Sequence, residues 1–203
     1  MKFSVSLAAL FASLSLMSVS VKAQEVIWQN SYALETAGKY MEAVAAIDTI
    51  PANGPDAELK LLRRGWLYYL QGAFNESIRE YGFAIEKNSK SVDARLGIIL
   101  PLLAQKRWRD AEQRSRAVLD IAPNNYLAQL RLVIALEGQQ SWSEMLRSAT
   151  QLAVSYPTDA TAYVYLARAN LWMGKRPEGA AAYGAVLARY PGHLEAKAYL
   201  EKK

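Results

Sequence analysis

Residues 158–191 read TDATAYVYLARANLWMGKRPEGAAAYGAVLARYP: two apolar-patterned stretches joined at Met173-Gly174-Lys175 and closed by Pro191. Pro157 and Pro123 precede Pro191 at the same 34-residue interval, and further steps of 34 reach Ser89 and Pro55. If these five residues are numbered 32 in each repeat, position 20 holds Ala43, Ser77, Ala111, Met145 and Gly179, and position 27 holds Ile50, Ala84, Val118, Leu152 and Val186. All are small or apolar. Position 15 holds Gly38, Gly72, Lys106, Gln140 and Gly174, and two residues later stand Tyr40, Phe74, Trp108, Trp142 and Arg176, aromatic in four cases of five. Positions 4, 8 and 11 recur at helical spacing and are mostly apolar, while the turn near position 15 and the residue at 32 punctuate two helices of about a dozen residues each.

These residues resemble the tetratricopeptide repeat, a 34-residue helix–turn–helix unit with the pattern W-x2-L-G-x2-Y, A-x3-F and P. Repeat 2 carries Leu61, Gly65, Tyr68, Gly72, Phe74, Ser77, Tyr81 and Ala84 in register, and repeat 5 carries Tyr163, Leu166, Ala167, Asn170, Gly174, Tyr183, Val186 and Pro191. The resemblance implies an all-α fold, a right-handed α-solenoid of about five helix–turn–helix repeats at 24–55, 56–89, 90–123, 124–157 and 158–191. Residues 192–203 read as a C-terminal capping helix, with Leu194, Ala198 and Tyr199 toward the last repeat and Glu195, Lys197, Glu201, Lys202 and Lys203 toward water. Stacked helix pairs share a core that neither helix buries alone, so residues 24–203 are expected to form one domain. Three departures mark local irregularity. Pro51 should stop the second helix of repeat 1 early, Pro101 should kink the first helix of repeat 3, and Val133 replaces a small residue in repeat 4.

The N-terminus has the pattern of a secretory signal: Lys2, an apolar and small stretch from Phe3 to Val21, and small residues at −3 and −1 (Val21, Ala23) before Gln24. Residues 1–23 are therefore expected to be removed, with retention as an N-terminal anchor as the alternative. That removal takes Lys2 and Lys22 away and lowers the net charge from +5 to +3, too little to point to nucleic acid. No integral membrane segment is expected after cleavage. Cysteine is absent and His193 is the single histidine, in a Pro-Gly-His turn, so thiolate metal sites, disulfides and histidine-based triads have no raw material. No catalytic residue, no metal site and no cofactor is expected. Export without disulfides suits a Gram-negative periplasm.

The resemblance places the partner-binding groove on a second stripe of each first helix, positions 2, 5, 9, 12 and 13. On this stripe stand Trp28, Tyr32, Leu62, Trp66, Tyr69, Leu96, Leu100, Ile134, Arg168 and Trp172, with Trp66 and Tyr69 as the leading anchors. Arg168 is the lone cation among them, so a clamp for a terminal carboxylate is not expected. An apolar helix or extended segment of a partner protein fits better, in a secretion, pilus, polysaccharide-export or other envelope component. A second copy of the chain is the alternative occupant. Part of the stripe, above all position 5, has inter-repeat core as its alternative reading. Lys106, Arg107, Arg109, Arg114 and Arg116 form a basic run, but Asp110, Glu112 and Asp120 interleave with it.

Overall fold

The computed structural model of the chain describes residues 24–201; the expected signal segment lies outside the described residues. Helices alternate with short turns throughout, and no strand occurs among the described residues. The described residues are all-helical and of the α-solenoid class, arranged in two compact units that divide between Asn88 and Ser89. In the first, residues 24–36 (α1), Tyr40–Ile47 (α2), Ala57–Gln71 (α3) and Phe74–Lys87 (α4) make two helix pairs. In the second, Val92–Gly97 (α5), Ile99–Ala104 (α6), Trp108–Leu119 (α7), Tyr126–Gly138 (α8), Trp142–Ser155 (α9), Ala160–Trp172 (α10), Arg176–Arg189 (α11) and Leu194–Glu201 (α12) follow. Among the described residues no helix is long and apolar enough to cross a membrane.

Position 15 sets every intra-repeat turn. Gly38, Gly72, Lys106, Gln140 and Gly174 all have positive φ, between 57° and 82°. The following residue reverses onto the helix it leaves: Lys39 N–H donates to the Leu34 carbonyl, Ala73 to Tyr68, Arg107 to Leu102, Ser141 to Leu136 and Lys175 to Asn170, at 2.8–3.0 Å. This left-handed closure satisfies carbonyls that the helix end would otherwise leave bare. Glycine enters the left-handed region without penalty, whereas an L side chain there is strained. Gln140→Gly is accordingly expected to raise stability by about 0.5–1 kcal/mol, read as a higher urea midpoint; a lower midpoint would mean that the Gln140 side chain outweighs its backbone cost.

A second recurrent device starts the first helices. Ser91 Oγ accepts from Ala94 N–H at 3.2 Å, Asn125 Oδ1 from Ala128 at 2.9 Å, and Asp159 from Thr161 and Ala162 at 3.0 and 3.2 Å. These are N-caps at one register position. His193 occupies the same position, and its Nδ1 accepts from Ala196 N–H at 3.3 Å. The single histidine thus caps α12.

The irregular sites behave according to their chemistry. α2 ends at Ile47, before the Pro51–Pro55 joint. Repeat 3 divides its first helix between Gly97 and Ile99, one turn ahead of Pro101, because the proline ring crowds the carbonyl four residues upstream. Val133 is fully buried in one cluster with Leu136, Met145 and Leu152, so the core absorbs the larger side chain. In the first unit the close approach of helix pairs is sealed by hydroxyls: Ser31 Oγ donates to Ala43 O at 3.0 Å and Ser77 Oγ to Gly65 O at 2.7 Å. Arg64 on α3 ties α4 to the end of α2, donating to Glu80 at 3.0 and 3.1 Å and to Asp48, the residue that follows α2.

The cap corrects the helix-wheel expectation. Leu194 is 82% exposed and Ala198 is exposed, whereas Ala196 is fully buried and Tyr199 and Leu200 pack against the last repeat. Glu195 points inward. Its carboxylate accepts from Arg168 Nε and Nη2 at 2.8 and 2.6 Å and from the Tyr183 hydroxyl. The wheel misplaced the phase because α12 is short and its inward face is chosen by a charge partner on another helix.

The Arg168 hydrogen bonds hold the Glu195 carboxyl below its ordinary value of 4.5, against a smaller opposing effect of burial. A carboxyl whose pKa is lower folded than unfolded contributes stability above the unfolded value and loses it as pH falls through the folded one. The Arg168–Glu195 tie is therefore complete above about pH 4.5 and weakens below it. Thermal melts between pH 7 and pH 3 should show a shallower acid decline in Glu195→Gln than in the parent; parallel declines would show that the tie does not contribute.

Candidate functional site: aromatic hollows on the first unit

The first unit brings part of the stripe together. Tyr32 on α1 and Leu59, Leu62 and Trp66 on α3 surround a hollow of about 370 Å³. Tyr32 is 53% exposed and Leu59 44%, while Leu62 and Trp66 are half-buried. Successive turns place them together: Leu59, Leu62 and Trp66 are spaced three and four apart on α3 and so share a face.

The floor is ionic. Arg63 is buried, donating from Nη2 to the Ser31 carbonyl at 2.9 Å, from Nε to Ser31 Oγ at 3.2 Å and from Nη1 to Glu35. Its guanidinium lies 3.9 Å from the Tyr32 ring centroid, a cation–π distance. The other Glu35 oxygen accepts from Trp66 Nε1 at 2.9 Å, which fixes the indole plane. Trp66, Tyr69 and Phe74 then form a ladder of rings, with centroids 5.6 and 5.9 Å apart in sequence. Arg63 compensates Glu35, so the hollow offers apolar surface and ring edges over a neutral base.

A second hollow of about 620 Å³ shares Tyr32 and is bounded by Trp28, Glu25 and Asp56. Asp56 accepts from Gln24 Nε2 at 2.6 Å and from Trp28 Nε1 at 3.3 Å. Trp28, Tyr32, Leu62 and Trp66, four of the stripe residues singled out in the sequence, thus line these two adjoining hollows. Glu35, Thr36 and Arg63 complete the lining without having been singled out; α3 carries Arg63 and Arg64 side by side, and nothing in the sequence signals that the first of them is buried as a floor.

The second unit places its stripe residues on separate features. Leu96 is buried, 7% exposed, and Leu100 and Ile134 are half-buried. Arg168 is taken up by Glu195 and by Glu137 at 3.3 Å, and these interactions raise its pKa further, so its charge is already compensated. Trp172 is 64% exposed and stacks on Trp142, with centroids 4.7 Å apart and planes 8° from parallel. The basic run is also interleaved in space: Arg107 pairs with Asp110, and Arg116 with Glu112 and Glu144, each at 2.7 Å.

Comparison with solved structures places this architecture. The chain is similar to MamA from Desulfovibrio magneticus RS-1, with a TM-score of 0.74 at 15% identity over 84% of this chain and 97% of that one. It is similar to a tetratricopeptide repeat protein from Parabacteroides merdae, TM-score 0.75 at 16% identity, over 89% of this chain and 72% of that one. It is also similar to YrrB, described as a tetratricopeptide repeat protein with an unusual peptide-binding site, TM-score 0.70 at 14% identity, over 87% and 91%. No family model and no curated protein matches the chain. At these identities the likeness defines the fold: the chain has the tetratricopeptide-repeat fold.

Proposed function

We propose that the protein is a non-catalytic interaction scaffold of the bacterial cell envelope. Residues 24–203 work as one domain that holds an apolar helix or extended segment of a partner protein. The observation that carries this reading is the hollow of Tyr32, Leu59, Leu62 and Trp66, where two exposed apolar side chains stand over half-buried ones held in fixed orientation. Such preformed aromatic pockets take anchor side chains from a partner at low ordering cost. The peptide-binding site described for YrrB, on the same fold, is consistent with it. Export and periplasmic residence rest on the signal pattern of residues 1–23.

Leu59→Asp tests the proposal, since Leu59 is 44% exposed and a charge there costs little folding stability. The variant is expected to keep the parental melting temperature and to lose the partner that the parent retains from the envelope fraction, a weakening of about 2 kcal/mol or more. Retention of the same partner by the variant would refute the site. If light scattering instead shows parental mass rising with concentration and Leu59→Asp abolishing the rise, the occupant is a second copy.

A further inference from the structure

We propose that the second unit carries a separate docking site, a basic hollow between the α6–α7 and α8–α9 turns that receives the carboxylates of an acidic protein segment. The hollow has a volume of about 450 Å³, and its rim is set by Lys106, Arg107 and Arg109 on one side and Gln139 and Ser141 on the other. It is room for two or three side chains. One carboxylate, Asp110, lines it and is paired with Arg107 at 2.7 Å, which leaves the charges of Lys106 and Arg109 in excess. Glu112, a further carboxylate that acts on Arg109, is itself held by Arg116 and by Gln139 Nε2 at 2.8 and 2.7 Å. Trp108, whose ring packs where a Cβ on Gly138 would stand, gives the hollow an apolar wall for the methylenes of a glutamate.

Backbone strain points to the same place independently. Among the described residues the non-glycine positions with positive φ are Lys106 (57°) and Gln140 (60°), and they sit in the two turns that frame this hollow. The equivalent turns elsewhere use Gly38, Gly72 and Gly174, which adopt the conformation freely. A side chain kept in the left-handed region is strained, and strain of this kind clusters at ligand sites. At position 106 the strained residue supplies a cation to the rim.

The chemistry selects a protein carboxylate over other anions. Two excess charges in a recess are fewer than the four to eight basic residues with which proteins hold anionic membrane surfaces, and they form no track along which a phosphate backbone would lie. The Ser141 hydroxyl adds a neutral donor suited to a carboxylate lone pair, while Gln139 on the same rim is engaged by Glu112 and the Ala135 carbonyl and serves as wall.

The test titrates a fluorescein-labelled hexaglutamate peptide into the full chain and follows fluorescence anisotropy, with hexalysine as control. Lys106→Gly is the informative variant because it removes the cation while relaxing the backbone. Saturable hexaglutamate binding is expected, weakened at least fivefold by Lys106→Gly and again by Arg109→Gln, with the Lys106→Gly melting temperature equal to or above the parent's. Leu59→Asp should leave this binding unchanged, which separates the site from the one proposed on the first unit. The inference is overturned by no binding of hexaglutamate, by equal binding to the two variants, or by equally tight, equally variant-sensitive binding of inorganic phosphate or phosphatidylglycerol vesicles.

Discussion

Arg63→Ala is expected to lower the unfolding free energy by about 3 kcal/mol, among the largest effects of any single change in the first unit. The guanidinium is buried and satisfies three groups of α1: the Ser31 carbonyl, the Ser31 hydroxyl and the Glu35 carboxylate. Removing it leaves those acceptors facing a cavity and strips Tyr32 of its cation–π partner. Glu35 keeps 24% of its side chain accessible, so water recovers part of its solvation and the loss falls toward the lower end for a broken buried pair. Urea denaturation measures the loss. Arg63→Met combined with Glu35→Leu removes both charges at similar volume and should recover most of it; if the double variant is no more stable than Arg63→Ala, the lost hydrogen bonds to Ser31 and Trp66, and not the stranded carboxylate or the cavity, set the cost. The same substitution connects stability to the site, because Glu35 also orients Trp66 through its second oxygen at 2.9 Å.

Leu152→Ala should cost about 2–5 kcal/mol by the lost burial and the cavity left behind. Leu152 is fully buried in the cluster of α8, α9 and α10 that includes Leu136, Val133, Met145 and Ala149. Leu194→Ala, the same chemical change at a residue 82% exposed, should fall within about 0.5 kcal/mol of the parent. The contrast is dominated by burial, because the Leu-to-Ala difference in helix propensity is at most a few tenths of a kcal/mol. Comparable losses at both positions, measured by thermal unfolding, would contradict the orientation of α12 described above.

The sequence by itself determined the repeat, its turns and most of its helix ends. Gly38, Gly72 and Gly174 announce left-handed closures because only glycine takes them without strain, and the 34-residue interval carries the same closure to Lys106 and Gln140. Ser91, Asn125 and Asp159, spaced at the same 34-residue interval, are of the short polar type that reaches the free N–H groups of the helix it precedes, although they were not singled out as caps from the sequence. The effects of Pro51 and Pro101 follow from a missing donor and a ring clash within one turn. All of these are decided within a few residues of chain.

Only the tertiary structure decided which stripe residues face water and which charges are already compensated. Helical periodicity assigns an angle about one axis; it says nothing of the distance to the next helix. Leu62 and Leu96 hold the same repeat position, yet one lines a hollow and the other is buried. Trp66 has the angle of a surface anchor, but a carboxylate on α1, 31 residues away, holds its indole half-buried. Arg168 and Glu195 read as groove cation and solvated anion until α12 folds back and joins them at 2.6 Å. Each of these outcomes depends on contacts between residues far apart in sequence, where the identity of a side chain is set locally and its surroundings are set by packing.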